Sequence, residues 1–424
     1  MVSKLSSSEI IHFLIILLVI LIPARVLGEV CRRYKLPAII GEIVAGIIVG
    51  PTLLGAFFPP LFKNIFIGAP QAYAAFDGIA NIGIILLMFI AGFEVDLKQI
   101  RQNGKQAIAI SLTGIIFPFA IGFASVWFLY ETHFANSANN QLVTSLFFGT
   151  ALSITALSVI AKILLDLDIL KTRIGNIVLT AAMVDDFLGW ILFSVIIQLM
   201  NASKHEGSFW SVALVVLFAA FMLTGGRWVI HRLLAIAAKS GKAGRVFTVA
   251  IVMCFVGAAA TEALGVRGVF GAFLVGIAVS DSEHFTEKHK HVLHQFTINV
   301  LAPLFFASVG LRINFIANFN TEIVLIILVI ACLAKLIGAG IGGVISGMTK
   351  NESIAVAFGM NARGSQEIVL GLIALQAKII NEPVFEGLVV MTIVTMVISG
   401  PVMKHYFLKE ERYQFSLTNL ITNK

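Results

Sequence analysis

Two carboxylates stand side by side in the middle of an apolar run, in Ala182-Met183-Val184-Asp185-Asp186-Phe187. A charge at the centre of a hydrocarbon layer costs roughly 2.5–3.5 kcal/mol on insertion scales, so acids found there imply a use. Adjacent helix residues point about 100° apart, yet they stay close enough for each to oppose the other's ionisation. Burial also opposes ionisation and a nearby cation favours it; that balance lets a carboxylate titrate near cellular pH. Such a pair can hold protons or a metal cation. The alternative is a packing pair that stays neutral and hydrogen-bonded.

The counter-charge is Lys335, in Leu333-Ala334-Lys335-Leu336-Ile337, about midway along another apolar run. It lies too deep to snorkel easily to either face, and a buried amine needs a partner or loses its proton. We expect Lys335 to pair with Asp185 or Asp186. The alternative is a lysine that reaches a polar cavity for structural reasons only.

Two segments crowd small and polar residues into apolar stretches: Gly149-Thr150-Ala151-Leu152-Ser153-Ile154-Thr155-Ala156-Leu157-Ser158 and Gly359-Met360-Asn361-Ala362-Arg363-Gly364-Ser365-Gln366-Glu367. Ser, Thr and Asn offer the backbone alternatives to helical hydrogen bonding. A helix broken at mid-depth is tolerable only where it lines a cavity or is buried in protein. Its free ends then present carbonyls to cations and N–H groups to anions. Arg363 and Glu367 are spaced i,i+4 and would pair on a continuing helix, offsetting the dipoles of the two breaks. For the first segment, Ser/Thr back-bonding inside an ordinary helix is the alternative.

The elements that must position these groups are membrane spans. Of the 424 residues, 58% are hydrophobic and 12% charged, against about 25% charged in a soluble domain. Runs of about 20 apolar residues, enough to cross roughly 30 Å of hydrocarbon, recur along the chain. We place about thirteen spans, at 8–28, 37–57, 78–93, 106–130, 142–165, 174–200, 209–230, 246–264, 268–280, 293–311, 322–348, 352–376 and 384–407. They are too long and too continuously apolar for barrel strands. The run from Ile10 to Ile22 reads as the first span and not a removable signal peptide. Span 268–280 is the weakest: it is short, and reads as a re-entrant piece or as a glycine-rich helix surrounded by protein.

The net charge of +7 has a membrane explanation rather than a nucleic-acid one, because the basic residues sit in the breaks between spans. With the N-terminus outside, the inner breaks hold clusters such as Arg25/Arg32/Arg33/Lys35, Lys98/Arg101/Lys105 and Arg227/Arg232/Lys239/Lys242/Arg245. The outer breaks hold only Lys4, Lys63, Lys204, Arg267, Arg312 and Lys378. That asymmetry is the positive-inside pattern. The three cysteines, Cys31, Cys254 and Cys332, are far apart and give no disulfide framework or zinc site.

The interrupted spans are the fifth and the twelfth, and the deep charges lie in the sixth and the eleventh. An odd offset of seven means the chain runs in opposite directions at the two sites, as in an inverted repeat built for alternating access; spans 2–6 would pair with spans 9–13. The fold expected is therefore an all-α polytopic membrane protein with two discontinuous crossing helices. Weaker features are Glu42 and Glu262, each near a span end and read as interfacial or buried, and the inside loop Glu283–His294. Its histidines suit a pH sensor or belong to a solvated connector.

At this point the chain resembles the monovalent cation:proton antiporter-2 family, and within it bacterial sodium/proton exchangers. The matching stretches are LPAIIGEIVAGIIVGP, GIILLMFIAGFEVDL, GTALSITALSVIAKIL, AAMVDDFLGW, GAFLVGIAVS, LAPLFFASVGLRI, CLAKLIG and FGMNARGSQEIVL, in order over about residues 36–375. The resemblance implies an elevator-type exchanger, usually a homodimer, in which a core bundle (about 106–200 and 322–407) slides against a dimer or scaffold domain made of the remaining spans. A membrane domain of 1–407 would then precede a short cytoplasmic tail, 408–424.

By the same resemblance Asp186 aligns with the essential ion-binding aspartate and Asp185 with the preceding acid of electrogenic members. Lys335 aligns with the lysine that pairs with that acid. Thr155 lies at the first helix crossing with Ser153 and Ser158, whose hydroxyls are further candidate ligands of the cation; Asn361, Arg363 and Glu367 lie around the second. Potassium-efflux relatives carry glutamine at the Asp185 position and electroneutral exchangers more often asparagine. The implied activity is electrogenic exchange of Na+ or Li+ for H+ in a bacterial inner membrane, with no cofactor and no enzyme chemistry. A potassium/proton exchanger of the same fold is the runner-up, and a cation channel or a non-transporting sensor the readings of a different class.

Overall fold

Without water to satisfy them, backbone N–H and C=O groups in hydrocarbon must pair within their own segment, and these apolar runs do so as helices. The computed structural model describes residues 6–34, 36–94, 104–134, 141–166, 169, 172–202, 217–239, 243–264, 268–280 and 282–422. Within these ranges the side chains beyond Glu410 and several on two inner helices, Ser158 and Asp186 among them, lie outside the described residues.

The principal helices are α1 (Ser7–Arg33), α2 (Ala38–Val49), α3 (Pro70–Glu94), α4 (Gly104–Leu129), α5 (Gln141–Ser153), α6 (Leu157–Asp166), α7 (Arg173–Ala202), α8 (Arg227–Ala238), α9 (Ala243–Ala263), α10 (Gly268–Ser280), α11 (Glu287–Phe296), α12 (Ala302–Gly310), α13 (Thr321–Ile345), α14 (Lys350–Met360), α15 (Ser365–Gln376) and α16 (Glu382–Thr422). Eight helical stretches are long and apolar enough to cross a membrane, among the described residues. The chain divides into two units, residues 1–95 with 201–319 and residues 96–200 with 320–424.

In the first unit, α10 is short, and Gly268 to Val279 are all buried. It is packed closely by glycine: a Cβ added to Gly276 would lie 3.0 Å from Gly92 Cα on α3, and one added to Gly257 on α9 would lie 3.2 Å from the Gly271 carbonyl oxygen. This span is the protein-surrounded helix of the two sequence readings. Only the first four residues of the segment 283–294 form a loop. Thr286 caps a helix that starts at Glu287 and continues through a π-helical turn, Thr297–Leu301, into α12. Glu42 is buried on α2 rather than interfacial, whereas Glu262 is exposed and accepts the Gly268 N–H at the start of α10 at 2.6 Å.

The second unit contains both interrupted helices. α5 stops at Ser153 and α6 begins at Leu157; α14 stops at Met360 and α15 begins at Ser365. α4 and α13 meet along a small-residue stripe, where association rests on close packing because lipid removes the hydrophobic drive between helices. A Cβ on Gly338 would lie 2.6 Å from the Thr113 carbonyl oxygen, and one on Gly342 2.7 Å from Ile110 Cα. Gly342→Leu is therefore expected to cost about 1–3 kcal/mol by overpacking, seen as a lowered thermal unfolding temperature in detergent. Gly340→Ala is the control, since its methyl meets only Ala357 Cβ at 3.8 Å. The tail past residue 407 continues α16, and Glu410 accepts from Asn351 Nδ2 at 3.0 Å.

Candidate functional site

Asp185 on α7 and Lys335 on α13 are both fully buried, and Nζ meets Oδ2 at 2.7 Å. The lysine's other acceptors are the backbone carbonyls of Gly114, at 2.8 Å, and Ser153. An ammonium has three N–H groups, and here each has an acceptor. Asp185 also accepts from Ser111 Oγ at 2.7 Å on Oδ1 and from Thr155 Oγ1 at 2.9 Å on Oδ2.

Thr155 sits in the first break and joins it to the second. Its hydroxyl reaches the Met360 carbonyl at 2.8 Å, and Ala156 N–H donates to the Ala362 carbonyl at 3.0 Å. The breaks cross so closely that a Cβ on Gly364 would lie 2.6 Å from Ala156 Cβ. A hydroxyl owns one hydrogen, yet this one faces two acceptors, a carboxyl oxygen and a carbonyl. That hydrogen is shared between Asp185 Oδ2 and Met360 O.

The last carbonyls of a helix have no partner within it and form its negative end. At the end of α5 they are met by cations. Arg363 donates through Nη1 to Ala151 O at 3.0 Å and through Nη2 to Leu152 O at 2.8 Å, and Lys335 takes Ser153 O. Glu367 sits at the positive start of α15 and accepts the Gly364 N–H at 2.7 Å. Arg363 and Glu367 thus each serve a helix end instead of pairing with one another on a continuous helix, because the chain leaves helical geometry before Ser365. Ser153 Oγ lies 2.6 Å from Gly149 O and 3.1 Å from Ile115 O, its one hydrogen shared between them, so its carbonyl, not its hydroxyl, faces the charged pair. Asn361 caps α14 and donates to Cys332 Sγ at 3.7 Å, with its Oδ1 buried and without a partner among the described residues.

The structure therefore brings Asp185, Lys335, Thr155 and Ser153 into one cluster and places Asn361, Arg363 and Glu367 beside it; the side chains of Asp186 and Ser158 lie outside the described residues. Sequence reasoning missed Ser111 and Gly114. Their signal was the polar interruption Ser111-Leu112-Thr113-Gly114 in an apolar run. The oxygens gathered here, from a carboxylate, hydroxyls and helix-end carbonyls, are the donors a hard cation takes.

The family model described as "Sodium/hydrogen exchanger, transmembrane" matches residues 14–409. The chain belongs to that family. This is a family of transporters, not of enzymes. Among curated relatives, the chain aligns with the Na(+)/H(+) antiporter NhaS4 of Synechocystis sp. at 30% identity over 91% of this chain and 95% of that one. It aligns with the Na(+)/H(+)-K(+) antiporter GerN of Bacillus cereus at 30% identity over 92% and 94%. It spans about half the length of several plant cation/H(+) antiporters that it also matches. The solved sodium proton antiporter MjNhaP1 of Methanocaldococcus jannaschii superposes with a TM-score of 0.65 at 16% identity, covering 95% of this chain and 99% of that chain, a likeness of fold.

Proposed function

We propose that this exchanger is an electrogenic sodium (or lithium)/proton antiporter in which protons and cation compete for Asp185 and Asp186, with Lys335 as the coupled base. The observation that carries the reading is the buried Asp185–Lys335 pair, held where two interrupted helices cross and their end carbonyls gather. Protons leave the acid–amine group as a dehydrated cation binds to carboxylate, hydroxyl and carbonyl oxygens of the Ser153–Ser158 break. Loaded with either, the site stays near neutral, as a group crossing a low-dielectric barrier must. Two protons per cation would move one net charge, worth about 2.3 kcal/mol per 100 mV, so the membrane potential would drive sodium out.

The same reading assigns the unit containing the site to the moving core bundle and the remaining spans to a scaffold through which two copies form a homodimer. It also takes about thirteen spans, of which 2–6 and 9–13 form an inverted repeat, with the N-terminus outside, the C-terminal tail cytoplasmic and the protein in a bacterial cell membrane. The division of the chain into residues 96–200 with 320–424 and the rest supports that assignment.

Potassium is the second reading, supported by the K(+) in the printed name of GerN at an identity equal to that of NhaS4. Purified protein in proteoliposomes, given Na+, Li+ or K+ at several pH values with and without an imposed potential, is expected to move protons against Na+ and Li+, faster with a favourable potential. Proton movement with K+ alone selects the second reading. Cation flux without proton counterflow would make the protein a channel.

A further inference from the structure

Pro118 lies inside α4 and has no N–H for the carbonyl four residues back. That carbonyl is Gly114's, which Lys335 Nζ takes at 2.8 Å. The next carbonyl, of Ile115, accepts from Ser153 Oγ at 3.1 Å. Two successive acceptors at the proline are thus used by groups that meet at the end of α5. The ring is also seated on α13, since a Cβ on Gly338, one turn beyond Lys335, would lie 3.0 Å from Pro118 Cδ. At Gly114 itself a Cβ would lie 3.8 Å from Lys335 Nζ and 4.0 Å from Asp185 Oδ2, so the backbone lies directly against the ion pair.

We propose that Pro118 is a positioning residue for Lys335: by withholding a backbone donor it keeps the Gly114 carbonyl open for one N–H of the ammonium. Any other residue at 118 would supply an amide hydrogen for that carbonyl, and the lysine would have to share it. Among the described residues, the charged groups around Lys335 are Asp185 on α7 and Arg363 and Glu367 at the second break; α4 and α5 face it with uncharged groups, among them the Gly114 and Ser153 carbonyls. The proposal uses the antiporter reading only for its transport readout.

The test is Pro118→Ala in the full-length protein, alone and in a Lys335→Gln background. Two profiles are followed against pH: thermal unfolding in detergent, which requires no transported ion, and exchange in proteoliposomes. An ammonium that shares an acceptor holds its proton less well. The alkaline limb of the exchange profile should therefore move toward acid by about half a pH unit, roughly a threefold change in proton affinity; the unfolding temperature of Pro118→Ala relative to the wild type should rise with pH as the amine loses its proton, and Lys335→Gln should erase both shifts. The α-hydroxy acid analogue of alanine at position 118 has neither ring nor N–H and should keep the wild-type limb. No shift, an equal shift in both backgrounds, a shift with the hydroxy acid, or a Pro118→Ala protein that no longer purifies as the wild-type species each overturns the proposal. Absence of sodium/proton exchange in the wild type would instead overturn the transport reading, with the unfolding profiles still deciding the role of Pro118.

Discussion

Liposomes carrying the Asp186→Asn protein should move no more protons in response to sodium than protein-free liposomes. Both carboxyl oxygens of Asp185 are already engaged, by Lys335, Ser111 and Thr155. On the proposed reading the second acid, which the resemblance aligns with an ion-binding aspartate, is then the member of the pair whose loss most directly stops the trade of a proton for a cation. Asparagine keeps the shape but cannot bind a proton or carry charge, so it removes both halves of the competition at once. The variant should unfold at the wild-type temperature, which separates lost chemistry from lost fold. Sodium-coupled proton flux that survives the change would remove Asp186 from the mechanism.

The second large effect is on stability. Leaving one member of a buried ion pair without the other costs about 3–5 kcal/mol, whereas replacing both with apolar residues is often neutral. Asp185→Leu strands an ammonium among carbonyls, and Lys335→Met strands a carboxylate. Each should lower the unfolding temperature sharply, and the double variant should recover most of the loss while transporting nothing. Lys335→Gln should be milder, because its amide keeps two N–H donors for the Gly114 and Ser153 carbonyls; its main effect should fall on the pH dependence and voltage response of exchange. Additive single and double effects would mean that the pair contributes no coupling.

The apolar runs made the helices legible, and the density of polar residues in 149–158 and 359–367 marked both interruptions. Two acids and one amine at mid-depth marked the centre of the site. What the sequence left open depends on rotation and contact. Which acid meets Lys335 follows from how α7 turns against α13, while glycines 338 and 342 set how closely α13 approaches α4. Ser111 and Gly114 went unnoticed because one serine and one glycine are compatible with a plain spanning helix. The i,i+4 spacing of Arg363 and Glu367 suggested a pair only while the helix was assumed continuous; once it breaks, each charge finds a helix end. Glu42 sits near a span end in sequence, and only the packing of α1 over α2, with Gly28 beside its carboxyl, buries it.

The short α10 has a consequence for how the chain is made. Its 13 residues rise about 20 Å as a helix, less than the roughly 30 Å of hydrocarbon, so it is poorly suited to leave the insertion machinery by itself. The two helices that receive its glycine faces, α3 and α9, both precede it in the chain and are synthesised first. Biogenesis of this region is thus ordered by the gene itself: both walls of the berth are made before its occupant.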